Sequence, residues 1–336
     1  MTLSADQVKA SVRFIYVIFF MLLSSLSLAN VHPKQEQADA IINGLYHNLH
    51  NNPNSDMATR LETISAQFLG KDYVLGALGE GVKGRFDQAP RYRVDGFDCE
   101  TFVDTVLAIA LADNIQDFRQ CICRIRYENG RVSYINRNHF TSIDWNRNNQ
   151  HQGFLKDITQ TFTDVNKQPV SLMTTALIDK PSWYQFHTLA SIRLYPENKQ
   201  EQMLRLAELK NRGSKLSKLP SELPYLPFTV LFNSQGEPNQ HLFSQIPNGA
   251  IIEIVRPNWN LKDKIGTELD ISHLGFAFWK NGALVFREAS TVYGHVVDVP
   301  LIDYLKEART SPTIKGINVQ IVVPGNPLTN GCELTQ

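Results

Sequence analysis

The dipeptide Asn281-Gly282 sits between two alternating apolar runs, 272–279 and 283–290. Asn-Gly in that setting is the strongest short hairpin signal, because both residues tolerate the positive φ of a tight type I′ turn. The chain is thereby committed to an antiparallel pair in which Lys280 meets Ala283. Leu274, Phe276 and Phe278 share one face of the first strand, so His273 points to the other. On this register His273 lies opposite Ser290. Glu288 is its diagonal neighbour on the same face, ~7–8 Å away between backbones and within side-chain reach. Either Glu288 or Ser290 could orient the imidazole, and the competing reading is an ordinary surface histidine on an edge strand.

The flanking sequence extends the sheet. Ile246-Pro247-Asn248-Gly249 turns into a strand at 250–255, and a strand near 295–298, a short helix at 301–308 and a last strand at 317–323 follow. The amino-terminal half is helical instead. Ala38, Ile41, Ile42, Leu45 and Leu49 recur at helical spacing over 35–50, before a break at Asn51-Asn52-Pro53-Asn54. Leu61, Ile64, Phe68 and Leu69 mark a second helix over 56–69, and Gly70 suits the left-handed position after its end. Glycines at 76, 79, 81, 84 and 96 make Tyr73 to Gly96 a long loop. The order is that of an α+β fold. Residues 130–225 are the least legible: a charged helix over 199–210, and an extended segment around Tyr225 punctuated by Pro220, Pro224 and Pro227.

After the loop, Phe102, Val103, Val106, Leu107, Ala110 and Leu111 form a wide apolar stripe, so Cys99 to Leu111 reads as a helix with Cys99 in its first turn. Free amide donors and the positive dipole end favour an anion there, which suits a thiolate. Taken alone, Cys99 reads first as a core residue at the edge of the stripe. The other cysteines are Cys121, Cys123 and Cys332. Cys121 and Cys123 share a helical stretch, 115–126, and point to different faces, so they should not bridge each other. One of them pairing with Cys332 competes with a reading as buried thiols, and a lone C-x-C is weak evidence for zinc.

Arg13 leads into an apolar run from Phe14 to Leu23 that continues to Leu28, with Ser27-Leu28-Ala29 supplying small residues for a signal peptidase. The run is shorter than the ~20 apolar residues of a membrane span, so 1–29 is expected to be a cleaved leader rather than an anchor. No cysteine follows it to carry a lipid. Lys plus Arg equal Asp plus Glu, 33 each, which argues against nucleic acid as the partner, since phosphate binding needs a basic footprint.

Phe97-Asp98-Cys99-Glu100-Thr101-Phe102-Val103 resembles the nucleophile motif of NlpC-type, papain-like cell-wall hydrolases. Gln67 to Ala77 resembles the segment preceding it there, His273-Leu274-Gly275-Phe276 the histidine strand, and Ile246 to Ile252 the strand before that. Ile125-Arg126-Tyr127, Arg137-Asn138-His139-Phe140 with Trp145, and Gly294 to Leu305 resemble the amidase branch long catalogued as a domain of unknown function. The resemblance implies a papain-like fold with an antiparallel sheet packed against the nucleophile helix. It implies one domain over 30–336: amino-terminal helices at 30–70, nucleophile loop and helix at 71–112, a mixed insertion with substrate region at 113–245, and the histidine sheet at 246–323.

By the same resemblance, Cys99 is the nucleophile, His273 the base and Glu288 its orienting partner. The Tyr73 hydroxyl and Cys99 amide bind the oxyanion. Arg137, Asn138, His139, Trp145 and Ser290 are candidates for the substrate groove, against readings as surface contacts or a core aromatic; Arg126 reads as a solvated helix-end residue. The implied reaction is hydrolysis of the amide between N-acetylmuramic acid and L-alanine in (anhydro-)muropeptides, by an exported, periplasmic monomer with no metal or organic cofactor and no membrane attachment after cleavage. The family's His-Ala-Ser here reads Glu288-Ala289-Ser290, a departure at the third triad position. Competing readings are a γ-D-glutamyl-diamino acid endopeptidase, an inactive peptidoglycan-binding module and a thiol acyltransferase.

Overall fold

A computed structural model describes residues 31–51 and 55–333. The leader expected over 1–29 and the Asn52-Pro53-Asn54 part of the helix break lie outside the described residues. Helix α1 spans Val31–His50 and α2 Met57–Ala66, the latter started by Asp56, whose carboxylate accepts from the Thr59 amide at 2.8 Å. Two short strands, β1 (Asp72–Tyr73) and β2 (Gly96–Phe97), pair in parallel and bracket the glycine-rich loop. Helix α3 covers Cys99–Leu111 and α4 Ile115–Arg126.

The sequence suggests a wide apolar stripe on α3; the structure buries the helix on every side from Thr101 to Leu111. α1, α2 and α4 surround it together with one face of the main sheet, in one continuous apolar core. A helix so enclosed must satisfy its terminal carbonyls internally. Buried Arg60 of α2 donates to Ala110 O at 2.9 Å and Ala112 O at 2.6 Å, and the Leu328 amide donates to Leu111 O at 2.8 Å. The carboxyl-terminal tail thus closes the helix end, and a Cys121–Cys332 disulfide holds that tail against α4. Cys99 and Cys123 are free thiols.

The main sheet runs β4-β5-β10-β6-β7-β8-β9, with β3 also on β10, and every pair is antiparallel. Its strands are β3 (Leu155–Asp157), β4 (Leu172–Asp179), β5 (Lys218–Pro227), β6 (Ala250–Asn260), β7 (Glu268–Lys280), β8 (Ala283–Ala289), β9 (Val296–Pro300) and β10 (Gly316–Val322). Asn281 and Gly282 both have positive φ, 51° and 81°, and Lys280 pairs with Ala283 as the turn requires. The β7–β8 ladder continues to Phe276 with Arg287 and stops there, so His273 and Ser290 are not ladder partners. β6 lies on the other side of β7, which makes His273 a residue of an interior strand and not of an edge.

Leu274, Phe276 and Phe278 pack toward α3. The opposite face is also covered: Ala277, Leu284 and Phe286 meet Leu301 and Leu305 of the helix Leu301–Ala308 in a second apolar cluster. Buried Arg287 clamps α2 to the sheet through Asp298, at 2.6 and 2.7 Å, the Ser65 hydroxyl and the Glu62 carbonyl.

The illegible middle contains the strand β4, which pairs with β5 along its whole length. Leu172, Met173 and Leu177 of β4 are exposed, so its pattern carries no clean alternation; the partner strand stabilises it. The prolines of β5 are tolerated for a positional reason. Pro220 and Pro224 turn their carbonyls away from β4, to Arg147 Nη2 at 3.0 Å and Asn318 Nδ2 at 2.9 Å, so their missing N–H groups would not have joined that ladder. Among the described residues no helix is long and apolar enough to cross a membrane.

The disulfide closes a separation of 211 residues. Cys332→Ser is expected to destabilise the protein by about 2–4 kcal/mol. Thermal unfolding of wild type and variant, each with and without reductant, checks this: reductant should lower the midpoint of the wild type only.

Candidate active site

Cys99 is the first residue of α3, and the residue before it builds the site. The Asp98 carboxylate accepts from the Thr101 amide at 2.9 Å while the Thr101 hydroxyl accepts from the Asp98 amide at 2.9 Å, a reciprocal capping box. The second carboxylate oxygen of Asp98 accepts from the Gly76 amide at 3.0 Å. That bond ties the loop after Tyr73 to the helix start. Gly96 lets β1 and β2 approach: a Cβ there would lie 2.6 Å from Val74 Cγ2 and 3.1 Å from the Asp72 carbonyl. Tyr73 is consequently held beside Cys99.

His273 arrives from the sheet. The β6–β7 register slips at Ser272: Ile254 pairs with His273, and Val255 with Ile271. The extra residue is a bulge, a device that twists a strand and re-aims the neighbouring side chain. Glu288 of β8 meets the ring in an ion pair between Oε2 and Nε2, although Nε2 lacks the in-line geometry of a hydrogen bond. With Nε2 facing Glu288, Nδ1 is the nitrogen left for the Cys99 sulfur. Glu288, not Ser290, is thus the group that meets the imidazole. Phe286 stands nearly perpendicular to the ring with centroids 5.9 Å apart, and Tyr304 lies nearly parallel to it at 6.3 Å. Gly275 gives Phe286 its place, since a Cβ there would lie 2.8 Å from Phe286 Cε2.

These side chains open into one cleft of about 450 Å³. Tyr73, Cys99, His273, Glu288 and Ser290 line it together with Arg256, Trp259, Tyr304 and Ser311. Burial opposes a charge on His273, but the Cys99 sulfur and the Glu288 carboxylate outweigh it and push its pKa up to about 10. The ring is therefore an imidazolium at neutral pH. Burial, with the negative charge of Cys99, Asp98 and Glu288, raises Tyr73 above the ordinary phenol range, so its hydroxyl stays a donor. The arrangement holds a sulfur, a proton donor and a neutral phenol around one space, which is the equipment of acyl transfer.

Four groove candidates are not brought to this cleft. Arg137 is committed to the buried carboxylates Glu80 and Asp87. Asn138 is 3 % exposed and donates to the Ile125 carbonyl. His139 contacts the Tyr134 carbonyl through Nε2 at 2.8 Å and sits among the rings of Tyr134, Trp183 and Tyr184. Trp145 is fully buried and donates from Nε1 to Asp104 Oδ1 at 2.7 Å. Each has a polar partner within the core, which loop-like composition does not reveal. Arg126 is also buried, 3.5 Å from Asp104, and is not a solvated helix end. Among the described residues no group of three or more His, Cys, Asp or Glu could hold a metal ion.

Sequence reasoning missed three residues of the cleft lining, Arg256, Trp259 and Tyr304. Arg256 and Trp259 lie beyond the regular alternation of β6, with the guanidinium 4.2 Å from the indole centroid. Tyr304 sits in the short helix expected at 301–308, one turn after Leu301. The available signal was that helix itself: with Leu301 and Leu305 inward, its fourth residue, Tyr304, falls beside the same core face.

A family model described as AmiA-like, N-acetylmuramoyl-L-alanine amidase-like, matches residues 63–314. Among solved structures, a protein of Legionella pneumophila str. Philadelphia 1 assigned to family DUF1460 is 58% identical, with a TM-score of 0.87 over 89% of this chain and 99% of that one. An N-acetylmuramoyl-L-alanine amidase from Bacteroides uniformis ATCC 8492 is 25% identical, with a TM-score of 0.54 over 80% of this chain and 99% of that one. No curated protein sequence matches the chain.

The charge arrangement has a measurable sign. Partners raise the folded-state pKa of His273 above the ordinary ~6.5, so the stability its imidazolium contributes is complete below that value and is lost as pH rises through about 10. Glu288→Gln keeps the shape and removes one negative charge. Titration of the His273 ring by NMR is expected to end near pH 10 in the wild type and at distinctly lower pH in Glu288→Gln. Equal titrations would show that Glu288 does not hold the charge.

Proposed function

Since this chain belongs to the AmiA-like, N-acetylmuramoyl-L-alanine amidase-like family of peptidoglycan hydrolases, we propose that it is a cysteine amidase of papain-like, NlpC-type architecture. It hydrolyses the amide between N-acetylmuramic acid and L-alanine in (anhydro-)muropeptides. The protein acts as an exported, periplasmic monomer whose single domain, 30–336, follows a cleaved leader over 1–29. The Cys121–Cys332 disulfide supports an oxidising compartment.

The observation that carries this reading is the convergence of Cys99, His273, Glu288 and Tyr73 on one cleft. The Cys99 thiolate attacks the lactyl carbonyl and forms a carbon–sulfur bond. The Cys99 backbone amide, free at the first helical turn, and the neutral Tyr73 phenol receive the developing oxyanion. His273 gives its proton to the amide nitrogen as the carbon–nitrogen bond breaks, and the peptide leaves with a free amino terminus. The neutral imidazole then takes a proton from water, which attacks the thioester and expels the thiolate. Acid product leaves and the ion pair is restored. Glu288 replaces the family's neutral third residue with a carboxylate that orients the ring and stabilises its cation, as the aspartate does in serine triads.

Mass spectrometry of defined muropeptide digests tests the assignment. Free disaccharide and an intact stem peptide are expected, with Cys99→Ala slower by about 10³-fold or more. Release of an L-Ala-D-Glu fragment would make the enzyme an endopeptidase. Intact substrate with both proteins would leave a binding module, and preferential transfer of the acyl group to an added amine would leave a transferase.

A further inference from the structure

We propose that Tyr304 is a positioning residue for His273: its ring forms the floor on which the imidazolium rests and keeps it aimed at Cys99. The inference rests on the assignment of Cys99 and His273 as a thiolate–imidazolium pair. It starts from how the imidazole is enclosed. The imidazole meets the Glu288 carboxylate at Nε2 in an ion pair without hydrogen-bond geometry, and the Cys99 sulfur is its other charged neighbour. Neither contact is directional enough to stop the ring from tipping. The neighbouring rings do: Tyr304 lies nearly parallel to the imidazole, at an interplanar angle of 28°, and Phe286 nearly perpendicular to it, at 80°. Tyr304 and Phe286 also touch each other, with centroids 5.0 Å apart, so the two rings form one corner.

The floor is itself anchored. Tyr304 lies between Leu301 and Leu305, both fully buried against β8 and β9, so the helix cannot turn without exposing a leucine. The phenol is suited to the charge above it. Burial first, then the Glu288 and Cys99 charges, raise its pKa, opposed by Arg256; the ring stays neutral and offers an uncharged aromatic face. An aromatic face attracts a cation within about 6 Å, and more so when water is excluded; the two ring centroids, 6.3 Å apart, stand at the outer edge of that reach. The ionisable groups facing His273 are Cys99 from α3, Glu288 from β8 and Tyr304; Tyr73, Arg256, Tyr293, Asp303 and Glu307 also line the cleft.

The test separates the ring from its hydroxyl and needs no knowledge of the substrate. Alkylation of Cys99 by iodoacetamide is followed across pH, read at the Cys99 peptide by mass spectrometry so that Cys123 does not contribute. Tyr304→Phe keeps the ring and is expected to restore the wild-type profile. Tyr304→Leu is expected to bring the alkaline change in reactivity to lower pH. On muropeptide it should lose about tenfold in kcat with KM changed less than about threefold. Tyr304→Met takes its place if the leucine variant does not fold. An unchanged profile in Tyr304→Leu, or a Tyr304→Phe as impaired as the leucine variant, would overturn the proposal. A Cys99→Ala protein that still hydrolyses muropeptide would instead sink the functional assignment.

Discussion

One carboxylate, Asp98, fixes the geometry on which the site depends. It closes the amino terminus of α3 through Thr101, and its second oxygen holds the Gly76 amide. The first contact decides where Cys99 stands relative to the helix dipole. The second decides where the loop carrying Tyr73 stands relative to Cys99. A neutral cap such as serine could satisfy the helix end but has no second oxygen for the loop. The thiol and the phenol are therefore positioned by one side chain, and a shift of either would strain the other.

Around that point the structure resolves a conflict between burial and charge. His273 is placed where desolvation disfavours its cation, yet Cys99 and Glu288 outweigh desolvation. The arrangement is stable only as a set. An imidazolium without its partners would be an uncompensated charge in the cleft, and Glu288, 3 % exposed, would be a buried carboxylate without its cation. The glutamate at this position is thus compatible with a thiolate–imidazolium pair, because a third residue bearing negative charge favours the cation more than a neutral one can.

The parts of the fold written in local chemistry were legible. Asn281-Gly282 set the hairpin, the apolar spacing after Cys99 set α3, and Glu288 could be placed on the face of His273 from register alone. Whatever depends on distant partners was not. β4 is a strand because β5 lies beside it, and the bulge at Ser272 exists because β6 and β7 cannot stay in step past Ile254. Cys332 had two possible partners on α4, and only the path of the tail selects Cys121. Arg256 and Trp259 of β6 line the cleft with Tyr304 of the helix Leu301–Ala308, and no spacing rule connects those segments.

The residues mistaken for a groove show why polar and aromatic loops mislead. Trp145, Arg126 and Asp104 form a buried set against α3: the indole N–H and the guanidinium both address one carboxylate of that helix. Burial raises the pKa of Asp104 to about 7 even with Arg126 nearby; that cost is tolerable because every member holds part of the set. Arg137 does the same one layer out, joining Glu80 and Asp87 of the glycine-rich loop to the insertion. A loop of Asn, Arg, His and Trp looks like a binding surface when its partners are unseen. Here those side chains face inward, because the long loop after Tyr73 and the insertion are joined by charge and hydrogen bonds beside the apolar cluster of Phe86 with Tyr134 and Tyr184. Their contribution to the site is rigidity: they brace the helix whose start Asp98 fixes.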